Sequence, residues 1–264
     1  MVSANDLVRV ATAAAKRAGE YLRSVERPRD PTTWGSKGTA DWVTEVDRTS
    51  EELIREVLLG AEPGSNIIGE ELSPQLVNRG LVWIVDPLDG TTNFLHGVPV
   101  FAVSIAAAVD GELEAGVVLH VPLDRIYRAW KGGGAWSGEQ RLRVSTHTDP
   151  LHSLIGTGFP YSDFTRLDRY LAQFATIVSH AGGVRRAGSA ALDLVDVAAG
   201  RYEAFWEQRL SAWDIAAGTL LVREAGGRVT DFSGRDLGVE HGETAAGSPA
   251  MHSWLLSQLW EAES

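Results

Sequence analysis

The chain has 264 residues, of which 44% are hydrophobic and 22% are charged, a composition typical of a globular protein with a sizeable core. Its net charge of −11 disfavours general binding to nucleic acid or to an anionic membrane surface. It contains no cysteine, which excludes disulfides, thiolate metal sites and the cysteine-dependent phosphatases. The first residues lack the pattern of a signal peptide and no apolar run approaches the roughly 20 residues that span a bilayer, so we expect a cytoplasmic enzyme.

The first half of the chain predicts two helices followed by a mainly antiparallel sheet. Apolar residues at helical spacing, and a capping-box pattern before the second run, predict helices over residues 2–25 and 44–60. The segment between them, residues 28–40, is typical of a flexible loop. The predicted strands and turns that follow are residues 66–69, residues 100–109 and 112–121 joined by Asp110-Gly111, and a second hairpin that turns at residues 132–134.

In the second half, predicted helices and strands alternate, which favours an α/β layer. The predicted helices are residues 166–180, residues 189–200 capped by Ser189, residues 213–225, and a last helix that begins at Ser248-Pro249. The predicted strands are residues 184–186, 202–206 and 227–230. We expect two tightly joined subdomains: residues 1–145, with the antiparallel sheet and most of the candidate ligands, and residues 146–264.

The most informative segment is residues 83–94, Trp-Ile-Val-Asp-Pro-Leu-Asp-Gly-Thr-Thr-Asn-Phe. An apolar run that predicts a buried strand ends in two acids, Asp86 and Asp89. Two acids held so close together repel each other. A stable fold keeps such a pair when a positive group lies between them, most simply a divalent cation with oxygen ligands. Residues 90–92 add backbone N–H groups and hydroxyls that suit an anion. The segment therefore predicts metal-assisted phosphate chemistry, although taken alone it also fits an ordinary turn.

Three further acids stand at the ends of predicted elements, where their side chains can reach a shared cleft. Glu70 follows a strand, and its ordinary explanation is a solvated loop acid. Asp214 begins a helix, where an acid complements the helix dipole. Asp47 occupies the third position of the predicted capping box, a role that is compatible with a second one.

Together these segments resemble the inositol monophosphatase family, which belongs to a superfamily of magnesium-dependent, lithium-sensitive phosphatases. The resemblance runs in order along nearly the whole chain, and residues 188–194 resemble its bacterial branch in particular. The segments that carry it are Lys37 with residues 41–47, Gly69-Glu70-Glu71, residues 86–94, and Trp213-Asp214 with the helix that follows. It implies an α/β (α+β) fold, the layered αβαβα sandwich shared with fructose-1,6-bisphosphatase, and a homodimer.

The resemblance also implies a set of site residues and two or three Mg²⁺ ions, for which Mn²⁺ can substitute. The implied metal ligands are Glu70, Asp86, the carbonyl oxygen of Leu88, Asp89 and Asp214. The residues implied to orient the attacking water are Asp47 and Thr91, with Glu70 as a further catalytic residue. The implied phosphate and substrate contacts are Gly90, Thr91, Thr92, Ser189, Ala190 and Glu207, with Lys37, Glu71 and Arg186 as further candidates.

The sequence therefore predicts a Mg²⁺-dependent phosphomonoesterase that hydrolyses inositol 1-phosphate with an activated water and without a phospho-enzyme. Sibling substrates stay open: histidinol phosphate, fructose 1,6-bisphosphate and 3′-phosphoadenosine nucleotides. A function of another class also stays open, that of an interaction protein associated with transcription, as in some bacterial relatives. The expected partners are a small phosphorylated metabolite and a second copy of the chain, with no membrane and no direct nucleic-acid contact.

Overall fold

The layers of the molecule alternate between helices and sheets. The structure is a computed structural model, and it describes residues 2–26, 35–36, 42–43, 45–72, 79–159, 164–239 and 242–261. Two helices cover a large sheet, two more helices separate it from a smaller sheet, and two helices cover the outer face of the smaller sheet. The αβαβα sandwich implied by the sequence is confirmed.

The first layer consists of α1 (Ala4–Ser24) and α2 (Glu45–Ala61), both close to their predicted bounds. The Ser3 hydroxyl caps α1 by accepting the N–H of Asp6 at 3.2 Å. Where the sequence predicts only a loop, β1 (Gly35–Ser36) pairs with β2 (Trp42–Val43), so that prediction is wrong at residues 35–36.

The larger sheet has seven strands in the described part of the chain, in sequence order across the sheet. They are β3 (Asn66–Gly69), β4 (Leu81–Asp89), β5 (Ala102–Val109), β6 (Glu112–His120), β7 (Arg125–Trp130), β8 (Gly134–Ser137) and β9 (Gln140–Arg141). The first pair is parallel and every later pair is antiparallel. Both predicted hairpins are confirmed: Asp110 and Gly111 adopt the positive φ angles of 49° and 88° that suit a tight turn.

The central layer consists of α5 (Ala190–Ala198) and α6 (Ala212–Glu224), which pack against both sheets. The smaller sheet has the order β11-β10-β12-β14-β13 within the described residues. Its strands are β10 (Leu154–Thr157), β11 (Gly183–Arg185), β12 (Ala204–Leu210), β13 (Arg228–Thr230) and β14 (Gly242–Gly247). Its outer face is covered by α4 (Leu167–His180) and α7 (Pro249–Glu261).

Several elements differ from the sequence prediction. The segment after β4 forms a short helix, α3 (Thr91–His96), rather than a turn. The strand predicted over 202–206 begins at Ala204 and continues to Leu210, while β10 and β14 were not predicted at all. None of the helices in the described ranges is both long enough and apolar enough to cross a lipid bilayer. The division into subdomains at residue 145 stays a prediction.

The two central helices approach each other closely at Gly218, and this contact gives a prediction about stability. A Cβ at Gly218 would lie 2.5 Å from Cδ1 of the buried Leu194, whereas a Cβ at Gly60 in α2 would meet nothing within 4 Å. We expect Gly218→Ala to lower the free energy of unfolding by about 1–3 kcal/mol through overpacking. The control Gly60→Ala is expected to raise it by about 0.5–1 kcal/mol, because alanine favours a helix. Chemical denaturation of both variants measures this, and a shift in the same direction for both would contradict the packing described.

Candidate functional site

The end of β4 holds Asp86 and Asp89 in an irregular stretch of strand. Asp86 pairs with Ser104 and Asp89 pairs with Ala102, so β4 has one more residue than β5 across this interval. Such a bulge redirects side chains and is common beside functional sites. The backbone there is held by the N–H of Leu88, which donates to Asp86 Oδ1 at 3.0 Å. Both acids are therefore positioned by the strand and its bulge rather than by a mobile loop.

Asp86 is almost completely buried and lies among other acids. Burial is the main cause that raises the pKa of Asp86 well above its ordinary value. The negative charges that raise it further are those of Glu70, Asp89 and Asp214. The structure thus brings together the four carboxylates that the resemblance implies as metal ligands. A divalent cation with oxygen ligands is the chemistry that best fits such a group of acids.

Strand β3 and helix α6 bring two further acids, Glu70 and Asp214, to the same edge of the larger sheet. Because β3 and β4 are parallel, with Gly69 opposite Val85, their carboxyl ends meet, and Glu70 directly follows Gly69. The N–H of Glu70 donates to the carbonyl of Val85 at 3.3 Å. Asp214 lies in the first turn of α6, where its Oδ2 accepts the N–H of Ser211 at 2.7 Å, so the helix-start role considered for it is confirmed.

The four carboxylates lie in one region of the molecule, but their side chains are not positioned to coordinate one ion. In the ranges that the structure describes, no three Asp, Glu or His side chains form a cluster compact enough to hold an ion. Binding a cation there requires side-chain rotations of these acids. Such rotations move a carboxylate between staggered wells without moving the backbone. The donor set is therefore the hard-oxygen type that a divalent ion prefers, although its side chains are not gathered around one point in the described residues.

Asp89 connects the larger sheet to the central helices. Its Oδ2 accepts the Ser189 hydroxyl at 2.6 Å and the N–H of Ala191 at 2.8 Å. Ser189 is the N-cap of α5, as predicted, and its hydroxyl oxygen also accepts the N–H of Leu192 at 3.3 Å. Burial raises the pKa of Asp89 to about 6, against the lowering effect of these hydrogen bonds. Ala190, at the start of the same helix, is buried beside them.

Asn93, which we did not predict as a site residue, holds α3 against the segment that leads into α5. Its amide nitrogen donates to the carbonyl oxygens of Val100 at 2.7 Å and Ala187 at 2.9 Å. Gly90 has a φ angle of 93°, which a side chain rarely tolerates, and a Cβ there would lie 3.1 Å from the carbonyl oxygen of Gly188. The two halves of the site therefore meet in close backbone contact.

The residues implied to orient the attacking water are Thr91, which follows β4 at the start of α3, and Asp47, which lies on α2. The Thr91 hydroxyl donates to the carbonyl oxygen of Leu88 at 3.0 Å. Asp47 is buried in the first turn of α2. It shares a helix face with Ser50, whose hydroxyl donates to the carbonyl oxygen of Pro87 at 2.9 Å. Thr92, in contrast, is exposed on α3.

Glu207 and Arg186 form the side of the site that faces the smaller sheet. Burial is the main cause that raises the pKa of Glu207 to about 8. The positive charge of Arg186 acts to lower this pKa, and the negative charge of Asp89 acts to raise it. A Cβ at Gly158 would lie 1.9 Å from Glu207 Oε1, so glycine gives this carboxylate its space. The Arg186 guanidinium lies 5.3 Å from the ring centre of Phe159.

Two buried acids that sequence reasoning missed support this arrangement. Glu51 accepts the N–H of Glu71 at 2.8 Å and so fixes the loop that carries Glu70. Asp193 lies almost fully buried in α5, and burial and then the charge of Glu207 raise its pKa well above the ordinary value. The sequence feature that could have identified both residues is an acid at a core-facing position of an amphipathic or apolar helix. Lys37 lies outside the described residues.

The fold and these acids define a class, the αβαβα phosphatase fold of the inositol monophosphatase type. The model of the inositol monophosphatase family matches residues 4–264, and the chain belongs to this family. It is 46% identical to the Nus factor SuhB of Pseudomonas aeruginosa, with 96% of this chain and 95% of that protein covered. It is 42% identical to an inositol-1-monophosphatase of Mesorhizobium japonicum, with 96% of each covered. An IMPase structure from Thermotoga maritima matches with a TM-score of 0.88 at 32% identity over 98% of both chains.

The contact between Gly69 and Glu51 gives a prediction about the loop of Glu70. A Cβ at Gly69 would lie 2.1 Å from Glu51 Oε1, and the buried Glu51 cannot retreat without losing its main-chain partners. We expect Gly69→Ala to destabilise the protein by about 1–3 kcal/mol, the usual cost of overpacking. The amide hydrogens of Glu71 and Leu72 are expected to exchange faster in this variant.

A double-mutant cycle with Glu51→Ala tests this contact directly, because it removes the carboxylate that the methyl group added by Gly69→Ala would strike. Gly69→Ala should cost less stability in that background than in the natural protein. Gly64→Ala is the matched control, since a Cβ there would meet nothing within 4 Å. An equal cost of Gly69→Ala in both backgrounds would show that Glu51 is not the obstacle.

Proposed function

We propose that this protein is a Mg²⁺-dependent phosphomonoesterase whose substrate is inositol 1-phosphate. The observation that carries the proposal is the buried Asp86 at the end of β4, with Glu70, Asp89 and Asp214 close enough to act on its charge. Membership in the inositol monophosphatase family supports the phosphatase activity. The relatives named inositol-1-monophosphatase support the choice of substrate.

Five groups are proposed to hold two or three Mg²⁺ ions, or Mn²⁺ in their place: Glu70, Asp86, Asp89, Asp214 and the carbonyl oxygen of Leu88. All are hard oxygen ligands, as Mg²⁺ prefers. Asp86 fits them because burial and the negative charges of Glu70, Asp89 and Asp214 are the main causes that raise its pKa, and a cation would offset these charges. Such ions supply an activated water at neutral pH and stabilise the charge of a leaving oxygen.

The chain's own residues are proposed to position the reactants. Thr91 and Asp47, with Glu70, orient the attacking water, and the N–H groups of Gly90 and Thr91 hold the phosphate, with Thr92 beside them. Thr91 is already oriented by its bond to the Leu88 carbonyl. Holding reactants in place removes much of the entropic barrier to a bimolecular step. A water that attacks directly also needs no phospho-enzyme.

The alcohol half of the substrate is proposed to contact Ser189, Ala190 and Glu207, with Arg186 close by. Glu207 is partly buried and suits hydroxyl groups, since it accepts hydrogen bonds when ionised and also donates one when protonated. Inositol offers several hydroxyls to such a group. Glu71 and Lys37 stay further candidates, and Glu71 already anchors its loop through Glu51.

The wider setting is part of the same proposal. We expect a homodimer in the cytoplasm, inhibited by lithium, that acts on small phosphorylated metabolites and contacts neither membrane nor nucleic acid.

A second candidate function comes from the 46% identity to a protein named a Nus factor, which favours an interaction role in transcription. Affinity capture of transcription proteins by a catalytically inactive variant, with the surface substitution Arg9→Ala as a control, discriminates between the two roles.

Replacing one acid tests the metal assignment. We expect Asp86→Asn to lower Mg²⁺-dependent phosphate release by more than about 100-fold, since even the loss of an outer-shell partner of a metal site costs 10–100-fold. The same variant should unfold at a higher temperature than the natural protein in EDTA, because it removes a buried charge that its neighbours repel.

Asp110→Asn is the matched control, because Asp110 lies in the distant β5–β6 hairpin and asparagine tolerates its positive φ angle. It should change neither quantity. Phosphate release that survives in Asp86→Asn, together with a lower unfolding temperature in EDTA, would refute the assignment.

A substrate panel tests the specificity. Phosphate release is measured with inositol 1-phosphate, histidinol phosphate, fructose 1,6-bisphosphate and a 3′-phosphoadenosine nucleotide, with Mg²⁺ and with EDTA. We expect the highest kcat/KM for inositol 1-phosphate and no release in EDTA, because the activated water depends on the ion. A preference for histidinol phosphate would overturn the substrate and leave the metal chemistry in place.

A further inference from the structure

Asp193 is a buried acid on α5 to which the proposed mechanism assigns no role. Only 1% of its surface is exposed to solvent. Within the described ranges, its Oδ1 is buried without a hydrogen-bond partner. An ionised carboxylate in such a place is strongly disfavoured, so the group keeps its proton instead. A protonated carboxyl group has an O–H, and a buried O–H needs an acceptor.

Helix α5 directs Asp193 toward the proposed site. Asp193 follows the N-cap residue Ser189 by four positions, so the two side chains lie on the same side of the helix. The Ser189 hydroxyl donates to Asp89 Oδ2 at 2.6 Å. Asp193 is therefore one turn along the helix from a direct contact with the acids at the end of β4.

Strand β12 directs Glu207 toward the same helix from the smaller sheet. Phe205 of this strand packs in the core that contains the apolar residues of α5. Trp206 packs in a separate core, together with apolar residues of α4 and α7. Because side chains alternate along a strand, Glu207 faces α5 as Phe205 does. Asp193 and Glu207 therefore face a common layer from its two sides.

Glu207 is the acceptor that best suits the proton of Asp193. Burial is the main cause that raises the pKa of Asp193, and the charge of Glu207 comes next, ahead of those of Asp196 and Asp89. The positive charge of Arg186 acts in the opposite direction. Asp196 already pairs with a guanidinium, and Asp89 already accepts two hydrogen bonds from the start of α5.

We propose that Asp193 is a positioning residue for Glu207: its protonated carboxyl group donates a hydrogen bond to the Glu207 carboxylate and orients it toward the hydroxyls of the substrate's alcohol half. The inference rests on the proposed function and adds a residue that determines its specificity. The bond forms by rotation of the two side chains, without a backbone movement. A donated hydrogen bond also favours the ionised form of Glu207, whose oxygens accept hydrogen bonds from hydroxyls.

Two substitutions of Asp193 separate the hydrogen bond from packing. Asp193→Asn keeps a donor on a side chain of the same shape, whereas Asp193→Leu fills the space without a donor. The measured quantity is kcat/KM for inositol 1-phosphate divided by kcat/KM for 4-nitrophenyl phosphate, whose alcohol half carries no further hydroxyl. We expect Asp193→Leu to lower this ratio about tenfold, through KM rather than kcat, as the loss of a hydrogen bond to a charged group does. Asp193→Asn should keep the ratio.

Asp196→Asn is the matched control, because it makes the same chemical change almost one turn further along α5. Asp196 accepts a hydrogen bond from Arg201 instead, so its substitution should leave the ratio unchanged. A double-mutant cycle adds Glu207→Gln, which removes the charge that Asp193 is proposed to orient. Asp193→Leu should lower the ratio less in that background. An equal loss in both backgrounds, or an equal loss for both substrates, would overturn the proposal.

Infrared difference spectra test the pair without turnover and without a stable Asp193→Leu variant. The difference between the natural protein and Asp193→Asn at neutral pH should show the C=O stretch of a protonated carboxyl group. Glu207→Gln should shift this band, because it weakens the hydrogen bond. Absence of the band, or an unshifted band in Glu207→Gln, would overturn the proposal. Failure to release phosphate from either substrate would refute the proposed function, and the infrared bands would still decide the role of Asp193.

Discussion

The proposed site depends on a fold that holds several acids together at one edge of the larger sheet. Burial and then the charges of Glu70, Asp89 and Asp214 raise the pKa of Asp86, so the mutual repulsion of these charges opposes folding. The contacts described for these acids come mainly from the backbone: Leu88 donates to Asp86, and Ser211 donates to Asp214. Such contacts orient the carboxylates and only partly offset their repulsion. A bound divalent cation would neutralise the repulsion between the carboxylates, so the folded protein would be stabilised by binding it.

The central helix layer makes this arrangement possible. It brings Asp214 and Ser189, which are about a hundred positions or more away in sequence, to the end of β4. The Ser189 hydroxyl bonds to Asp89, and the amide of Asn93 bonds to the carbonyl of Ala187, so the two layers are joined at the site itself. A change in the packing of α5 or α6 would therefore act on the acids without touching them.

Local sequence signals predict much of this. An apolar run identifies β4, Ser189 identifies the start of α5, and Asp110-Gly111 identifies a hairpin, because each signal lies within a few residues of its effect. The short helix α3, the strand β14 and the bulge of β4 between Asp86 and Asp89 were missed. Six residues are too few to show helical periodicity, and the length of a strand and its bulge are set by the neighbouring strand. Glu51 and Asp193 were missed because their partners are distant in sequence.

The most direct test of the central claim is a crystal structure of the protein soaked in Mn²⁺, with anomalous diffraction to locate the ions. The account predicts at least one peak at the end of β4 with oxygens of Asp86, Asp89 and Asp214 as ligands, reached by side-chain rotation on an unchanged backbone. Carboxylates that point away from each other, with no anomalous peak between them at millimolar Mn²⁺, would contradict it.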